Sequence, residues 1–253
     1  MNYLPYIAGG VALGYLSRHS RGRRGVYDPG ILKAVFLAGG PGSGKSYVAK
    51  QVFGLTSSSF APSGLKLVNS DPAFEMLLDR DGYSPADLAD LAATDPETYR
   101  YLTEDSRGPR QRGKRLTDAR AEKWLDARLG VIVDGTGKQY QKIAKAREGL
   151  QNLGYDTAMI FVNTTLPVAM YRNQQRARKL PDAQVKKHWT QVQSNLGAFQ
   201  TLFGRQLFYL VDNSRPVPVA PAVIKDVQRF VQKPVRNPVG QNWIANELEK
   251  KKR

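Results

Sequence analysis

An eight-residue segment early in the chain has the composition of a phosphate-binding loop. It matches the pattern G-x-x-x-x-G-K-S/T in full, follows an apolar run over 33–38 and precedes a helical stretch over 45–53. Glycines let the backbone curl until consecutive N–H groups point at phosphate oxygens, and the next helix adds its positive dipole end. The loop residues are Gly39, Gly40, Pro41, Gly42, Ser43, Gly44, Lys45 and Ser46. We expect Lys45 to reach the β- and γ-phosphates of a nucleoside triphosphate and the Ser46 hydroxyl to bind Mg²⁺.

A second candidate for the same site is the acid that ends the apolar run at 131–134. A carboxylate at the end of a buried strand can hold the Mg²⁺ shell, so we expect Asp134 to be a metal ligand. The alternative is a solvated carboxylate at a strand end. Gly135 follows where many ATP-driven motors carry a water-activating glutamate, which disfavours a motor. No Asn-Lys-x-Asp element stands where it would read guanine, and ATP is therefore the expected nucleotide.

Asp71 follows the second short apolar run of the chain and precedes Pro72. The carboxyl ends of parallel strands form the ligand crevice of an open α/β sheet, so this carboxylate can face the γ-phosphate across the cleft. There it would orient a hydroxyl acceptor and accept its proton during phosphoryl transfer. An aspartate before proline is also a frequent helix cap, and composition alone does not separate the two roles.

Three arginines follow the fourth predicted strand, after Pro167: Arg172, Arg176 and Arg178. Arg172 and Arg176 lie four residues apart and share a helix face. Phosphoryl transfer spreads negative charge over the equatorial oxygens, and arginines on a mobile segment can neutralise that charge and exclude water. A catalytic lid and a solvated basic helix face are both open readings of this set.

The chain carries 38 Lys and Arg against 22 Asp and Glu, a net charge of +16 in 253 residues. The excess is concentrated at the two termini and in two internal windows, 107–115 and 172–187. The first window contains five basic residues and no acid, and we expect a flexible segment that binds a phosphate backbone or stays solvated. Such clustering indicates polyanionic partners: phosphates, nucleic acid or an acidic membrane surface. The lack of cysteine excludes disulfides, a cysteine nucleophile and thiolate metal sites.

Short apolar runs alternate with helical segments between these motifs. The patterns predict strands at 33–38, 65–69, 131–134, 157–162 and 207–211, and helices at 45–53, 116–129, 140–153, 167–179 and 183–203. Strands of this kind, separated by helices, are typical of a mostly parallel sheet covered on both faces. We therefore predict an α/β fold, a P-loop NTPase three-layer sandwich with a five-stranded, mostly parallel sheet. Its strand ends would carry the residues described above.

The chain is predicted to have three parts: an apolar and basic extension over 1–30, a kinase-like domain over 31–232 and a flexible basic tail over 233–253. Residues 1–17 carry no charge and the arginines follow them, the reverse of the order in a secretory signal. This stretch is at the lower limit for a membrane span, so a membrane anchor and an arm on the domain or on a partner both stay open. We expect a cytoplasmic body. The tail is expected to be mobile, with a short helix over 243–250.

Together these motifs resemble those of the zeta-toxin and polynucleotide-kinase-like group of P-loop kinases. The resemblance spans 33–211 and rests on the P-loop, Ser70-Asp71-x-x-Phe74, Val133-Asp134-Gly135-Thr136 and Pro167 with the three arginines. It implies ATP- and Mg²⁺-dependent phosphorylation of a hydroxyl. In that group an aspartate matching Asp71 is the base and arginines matching Arg172, Arg176 and Arg178 form the lid. We assign acceptor contacts to Asp71, Phe74 and Thr136.

The resemblance leaves the acceptor open, because zeta toxins phosphorylate a UDP-amino sugar and polynucleotide kinases a nucleic-acid 5′-hydroxyl. A nucleic acid, a nucleotide and a nucleotide-sugar are the candidates. A second hypothesis is a nucleic-acid-binding or membrane-associated assembly protein whose P-loop core binds nucleotide without turnover, and a third is an ATPase motor. Replacing Asp71 by Asn should abolish phosphate transfer and spare ATP binding under the first hypothesis, and should be nearly silent under the second.

Overall fold

The computed structural model describes residues 25–55, 60–176 and 179–252. Within them, five parallel strands form one sheet in the order β2-β3-β1-β4-β5. The strands are β1 Lys33–Ala38, β2 Lys66–Val68, β3 Val131–Asp134, β4 Asp156–Asn163 and β5 Phe208–Asp212. All five predicted strands are present, and the predicted α/β fold with a five-stranded parallel sheet is confirmed.

Eleven α-helices accompany the sheet in the described part of the chain. They are α1 Lys45–Phe53, α2 Asp71–Arg80, α3 Asp87–Thr94, α4 Pro96–Thr103, α5 Pro109–Asp126, α6 Tyr140–Asn152, α7 Leu166–Gln174, α8 Asp182–Ser194, α9 Leu196–Phe203, α10 Pro221–Gln232 and α11 Pro238–Lys250. Because parallel neighbours must be joined by crossovers, helices cover both faces of the sheet. Helices α5, α6 and α9 contribute to the core on one face, and α1 and α10 contribute to the core on the other.

The position of β1 at the centre of the sheet explains why its sequence is apolar at nearly every position. All six of its residues are buried. Phe36 packs with Trp124 and Phe199 on one face, whereas Val35 packs with Phe230 on the other. Successive strand residues point to opposite faces, so a strand covered on both sides needs apolar residues at nearly every position.

Helices α2 to α5 enclose a small third cluster of buried side chains, formed by Phe74, Leu78, Leu88 and Leu102. Helix α5 lies close against α2 because Gly113 has no side chain. A Cβ at this position would lie 3.2 Å from the Phe74 backbone nitrogen. The packing places the N-terminal turns of α5 beside the start of α2, where Asp71 lies.

The basic window 107–115 differs from the flexible segment that the sequence predicts. Helix α5 begins at Pro109, so most of this window is helical. Proline is favoured in the first turn of a helix, where its missing N–H costs nothing, and Gly108 precedes it in an extended conformation. Packing of Gly113 against α2 then supports a turn that composition alone would assign to a loop.

The predicted helices after β4 are shorter than expected. Helix α7 ends at Gln174, because the Asn173 side chain donates to Leu180 O at 2.7 Å and accepts from Leu180 N at 3.1 Å. The predicted helix 183–203 is divided into α8 and α9. At that break Asn195 Nδ2 donates to the carbonyls of Gly137 and Lys138, at 2.9 and 3.0 Å.

The C-terminal segment also differs from its prediction as a mobile tail. Asp156 accepts hydrogen bonds from the backbone nitrogens of Arg236 and Asn237, at 2.9 and 3.0 Å. Helix α11 then packs against the body, with Trp243 at the edge of the core. Local composition in 233–253 is basic and polar, but these long-range contacts hold the segment in place.

Residues 1–24 lie outside the described residues, and with them the predicted apolar segment 1–17. Among the residues that are described, no helix is both long enough and apolar enough to cross a membrane.

Candidate active site

The P-loop lies between the end of β1 and the start of α1, as its motif predicts. Gly42 and Gly44 adopt positive φ angles of 71° and 83°. A Cβ at Gly42 would collide with the Ala169 carbonyl, and one at Gly44 would collide with the Asn213 side chain. Both positions therefore require glycine for conformation and for space. The loop is closely enclosed by the segments after β4 and β5.

Hydrogen bonds from neighbouring strand ends hold the loop. Asn213, directly after β5, donates through Nδ2 to Ser43 O at 2.7 Å. Gly39 N donates to Thr136 O, after β3, at 3.1 Å. Arg172 donates through its NH1 to Asn213 O at 2.7 Å, so this arginine supports the residue that supports the loop. Asn213 received no role from the sequence, because nothing local connects residue 213 with residue 43.

Lys45 is close to both predicted acids. Its ammonium donates to Gly39 O at 2.8 Å, across the loop. Burial lowers the pKa of Lys45 and Arg176 acts in the same direction, whereas the carboxylates of Asp134 and Asp71 oppose the shift. Asp71, Asp134 and Arg176 are thus each within electrostatic reach of Lys45.

Asp134 ends β3 next to the P-loop. Its Oδ2 accepts a hydrogen bond from Asn69 Nδ2 at 2.8 Å, whereas Oδ1 is buried and has no hydrogen-bond partner among the described residues. Burial raises the pKa of Asp134, Lys45 opposes that shift and Asp71 adds to it. A buried carboxylate oxygen with no donor is suited to a cation. The residues therefore fit Mg²⁺ held by Asp134 and Ser46.

No group of three or more His, Cys, Asp and Glu that could hold a metal occurs in the described residues. Ser43 Oγ, in the P-loop, is another buried polar atom that has no partner within the described part of the chain.

Asp71 is the first residue of α2, and Ser70 occupies the capping position. The Asp71 backbone nitrogen donates to Asn69 Oδ1 at 2.8 Å, so Asn69 contacts both Asp71 and Asp134. The Asp71 carboxylate accepts a hydrogen bond from Arg110 NH1 at 2.7 Å. Its side chain is therefore directed towards α5 and is 46% exposed, whereas Arg110 is 22% exposed.

The other predicted site residues have mixed placements. Thr136 is exposed beside the P-loop. Phe74 is only 1% exposed and packs in the α2–α5 cluster, so its assignment as an acceptor contact is corrected to a supporting role beneath Arg110. The Arg110 guanidinium lies 5.1 Å from the centre of the Phe74 ring. Arg176 is exposed beyond α7, and Arg178 lies outside the described residues.

Two contributors were not assigned to the site from the sequence. Arg110 belongs to the basic window, which was considered only as a patch. Trp189 of α8 lies beside the loop: its Cα is 3.6 Å from the position of a Cβ on Gly40, and its Nε1 donates to Thr164 O at 2.8 Å. Only the folded chain brings Arg110 to Asp71 and Trp189 to the P-loop.

Comparison with known proteins agrees with this geometry. The family model AAA_33, described as an AAA domain, matches residues 35–198. The chain belongs to this family. The predicted resemblance to P-loop kinases is confirmed at this level, and an AAA domain of this kind has a nucleotide-binding P-loop fold. No curated protein matches the chain.

Several solved structures match this chain at low sequence identity. A chain of the Pnkp1/Rnl/Hen1 RNA repair complex is 19% identical, with a TM-score of 0.43 over 66% of this chain and 46% of that one. A gluconokinase from Sinorhizobium meliloti 1021 is 14% identical, with a TM-score of 0.40 over 88% and 99%. A chain from the PezAT toxin–antitoxin system of Streptococcus pneumoniae is 13% identical, with a TM-score of 0.49 over 86% of this chain and 85% of that one. The chain thus matches less than half the length of the RNA repair chain.

Proposed function

We propose that this protein is an ATP- and Mg²⁺-dependent phosphotransferase. It moves the γ-phosphate to a hydroxyl of an acceptor that is a nucleic acid, a nucleotide or a nucleotide-sugar. The observation that carries this proposal is the position of Asp71. Its carboxylate lies within electrostatic reach of Lys45. Its backbone nitrogen donates to Asn69 Oδ1, and Asn69 Nδ2 donates to the Asp134 carboxylate.

The P-loop amides and Lys45 would hold the triphosphate, and Ser46 with Asp134 would hold Mg²⁺. The metal supplies charge neutralisation at the phosphate oxygens. Asp71 accepts the proton of the acceptor hydroxyl, whose oxygen forms the new bond to the γ-phosphorus. The bond between that phosphorus and the β–γ bridging oxygen breaks, and ADP leaves. Arg176 lies where it can add positive charge near Lys45.

The acceptor side is basic. Arg110, Lys114 and Asp118 recur every four residues on one face of α5. Burial lowers the pKa of Lys114, and the cations Arg110 and Lys142 act in the same direction, whereas Asp118 opposes the shift. Cations that repel one another beside the proposed base favour an acceptor that carries phosphate. This supports a nucleotide-containing acceptor over a neutral alcohol.

Incubation with γ-labelled ATP tests the proposal. The panel contains 5′-hydroxyl DNA and RNA oligonucleotides, nucleosides with their 3′-monophosphates, and UDP-sugars, with free phosphate release measured in parallel. We expect label to enter one class of phosphate-bearing acceptor, and its phosphate-free counterpart to be a poorer substrate. Phosphate release without any labelled acceptor would support an ATPase instead. Nucleotide binding with neither transfer nor release would support the assembly protein.

A further inference from the structure

A groove of about 1080 Å³ lies at the end of the sheet opposite the P-loop. It opens at the amino ends of β4 and β5 and extends over α6, α9 and α10. The P-loop follows the carboxyl end of β1, and β4 runs in the same direction beside it. Five or six residues separate the two ends, so the groove is roughly 15–20 Å from the nucleotide site.

The groove is lined by more cations than acids. Its Lys and Arg residues are Lys33, Arg147, Arg205, Arg229, Lys233 and Arg236, and its only acids are Asp156 and Asp226. Lys33 pairs with Asp156 at 2.7 Å, and Arg229 pairs with Asp226 at 2.6 Å. The two oxygens of Asp156 also accept the backbone nitrogens of 236 and 237. Within the described part of the chain, the remaining four cations form no salt bridge with a carboxylate of the groove.

Two buried polar atoms in the lining lack a hydrogen-bond partner among the described residues: Arg147 Nε and Thr157 Oγ1. Thr157 is 3% exposed, and the Arg147 guanidinium lies over the Phe203 ring at 5.2 Å. Burial lowers the pKa of Lys33, and Arg236 and Lys233 add to that shift although Asp156 opposes it. A bound anion would relieve this repulsion and supply an acceptor to the buried donors.

Part of the wall is apolar. Phe203, Phe208 and Phe230 contribute to it, and Leu210 is 49% exposed on β5. Small-molecule sites typically combine a concave apolar wall with a few polar groups that fix orientation, in volumes up to about 1,000 Å³. Arginine forks suit a phosphate, which accepts two parallel hydrogen bonds.

We propose that this groove is a second ligand site, for a small phosphomonoester whose phosphate is attached to an aromatic ring. Arg147, Arg205 and the Thr157 hydroxyl bind the phosphate, and Phe203 with Phe208 contacts the ring. Because the groove and the P-loop are at opposite strand ends, the ligand and a nucleotide bind at the same time. The site is independent of the phosphotransferase proposal.

Fluorescence titration with 1-naphthyl phosphate tests this site, in the presence and absence of saturating Mg²⁺ and ADP. We expect saturable binding with a dissociation constant that changes by less than twofold when ADP is present. 1-Naphthol should bind at least tenfold more weakly. Inorganic phosphate should compete only at concentrations far higher than that of 1-naphthyl phosphate. Binding that ADP abolishes, or that 1-naphthol matches, would overturn the proposal.

Variants separate the groove from other basic surfaces. Arg147→Gln and Arg205→Gln should each weaken naphthyl phosphate binding about tenfold, and Thr157→Val should weaken it about threefold. Lys225→Gln removes the same charge from an exposed position of α10 outside the groove and should change binding by less than twofold. Thermal unfolding checks that each variant is folded, and Arg205 is the decisive position because it is exposed. An Arg205→Gln variant that binds as the wild type does would refute the proposal.

Discussion

The carboxylate of Asp71 accepts a 2.7 Å hydrogen bond from Arg110, whose guanidinium also lies 5.1 Å from the centre of the Phe74 ring. Phe74 is three residues from Asp71 on the same helix, so α2 supplies both the acid and the surface that supports its partner. Arg110 is thus a positioning residue. It holds the proposed base from a neighbouring helix, α5.

Substitution of Arg110 should therefore affect turnover more than nucleotide binding. We expect Arg110→Gln to lower kcat about 10- to 100-fold, because the base loses its fixed orientation. The KM for ATP should stay within threefold, and Arg110→Lys should restore part of kcat. Steady-state kinetics with ATP and the identified acceptor measure both constants. Arg107→Gln is the control, since that side chain is 83% exposed and pairs with Asp105. Equal losses of kcat in Arg110→Gln and Arg107→Gln would contradict the positioning role.

Asp71→Asn tests the base itself. General base catalysis contributes typically about 10²- to 10⁴-fold, so transfer should fall by at least about 100-fold. The affinity for ADP, measured by titration calorimetry, should stay within threefold because the P-loop is unchanged. Asp79→Asn removes a charge from an exposed position of the same helix and should leave transfer intact. A variant at 71 that retains most of its turnover would exclude the base assignment.

Asn213→Ala tests the support of the P-loop by the segment after β5. The substitution removes the hydrogen bond to Ser43 O and leaves a buried carbonyl without its donor. Loss of such a partner costs about 1–3 kcal/mol, and we expect a lower free energy of unfolding together with five- to tenfold weaker ADP binding. Asn152→Ala, at an exposed position of α6, is the control. Unfolding in urea and calorimetry provide the measurements. An unchanged ADP affinity in the Asn213→Ala variant would show that the loop keeps its shape without Asn213.

Asp118 should make stability depend on pH. Burial raises the pKa of Asp118 to about 6, although Lys142 and Lys114 oppose the shift. The pKa is higher in the folded than in the unfolded state, so the folded state binds more protons between pH 4 and 6 and loses stability as the pH rises through that range. Because Asp118 is only half-buried, solvent screening reduces the effect to about 1 kcal/mol.

Asp118→Asn removes this titration. The variant should be more stable than the wild type by about 1 kcal/mol at pH 7.5, and the difference should vanish near pH 4. Urea unfolding at the two pH values measures it. A difference that is the same at both pH values would show that the substitution acts through something other than ionisation of residue 118.

The local sequence was sufficient for the P-loop, the strands and the place of Asp134. The loop pattern is contiguous, and its glycines are required by backbone angles that those residues determine locally. The strands were recognisable because each is a short, largely apolar run, and the central strand β1 has all six residues buried. The predicted parallel sheet follows from their alternation with helices. Burial and backbone geometry of this kind are visible in short segments.

The partners of these residues were decided only by the tertiary structure. Arg110 is hydrogen-bonded to Asp71, 39 residues away in the sequence, and Asn213 to Ser43, 170 residues away. The backbone nitrogens of 236 and 237 are hydrogen-bonded to Asp156, at separations of 80 and 81 residues. Such contacts depend on how helices and strand ends pack, which no local pattern encodes. Composition indicated a flexible basic window and a mobile tail, yet packing of Gly113 on α2 and of α11 on the body made both ordered. The sequence alone thus determined which chemical groups are present, and long-range packing determined which of them act together.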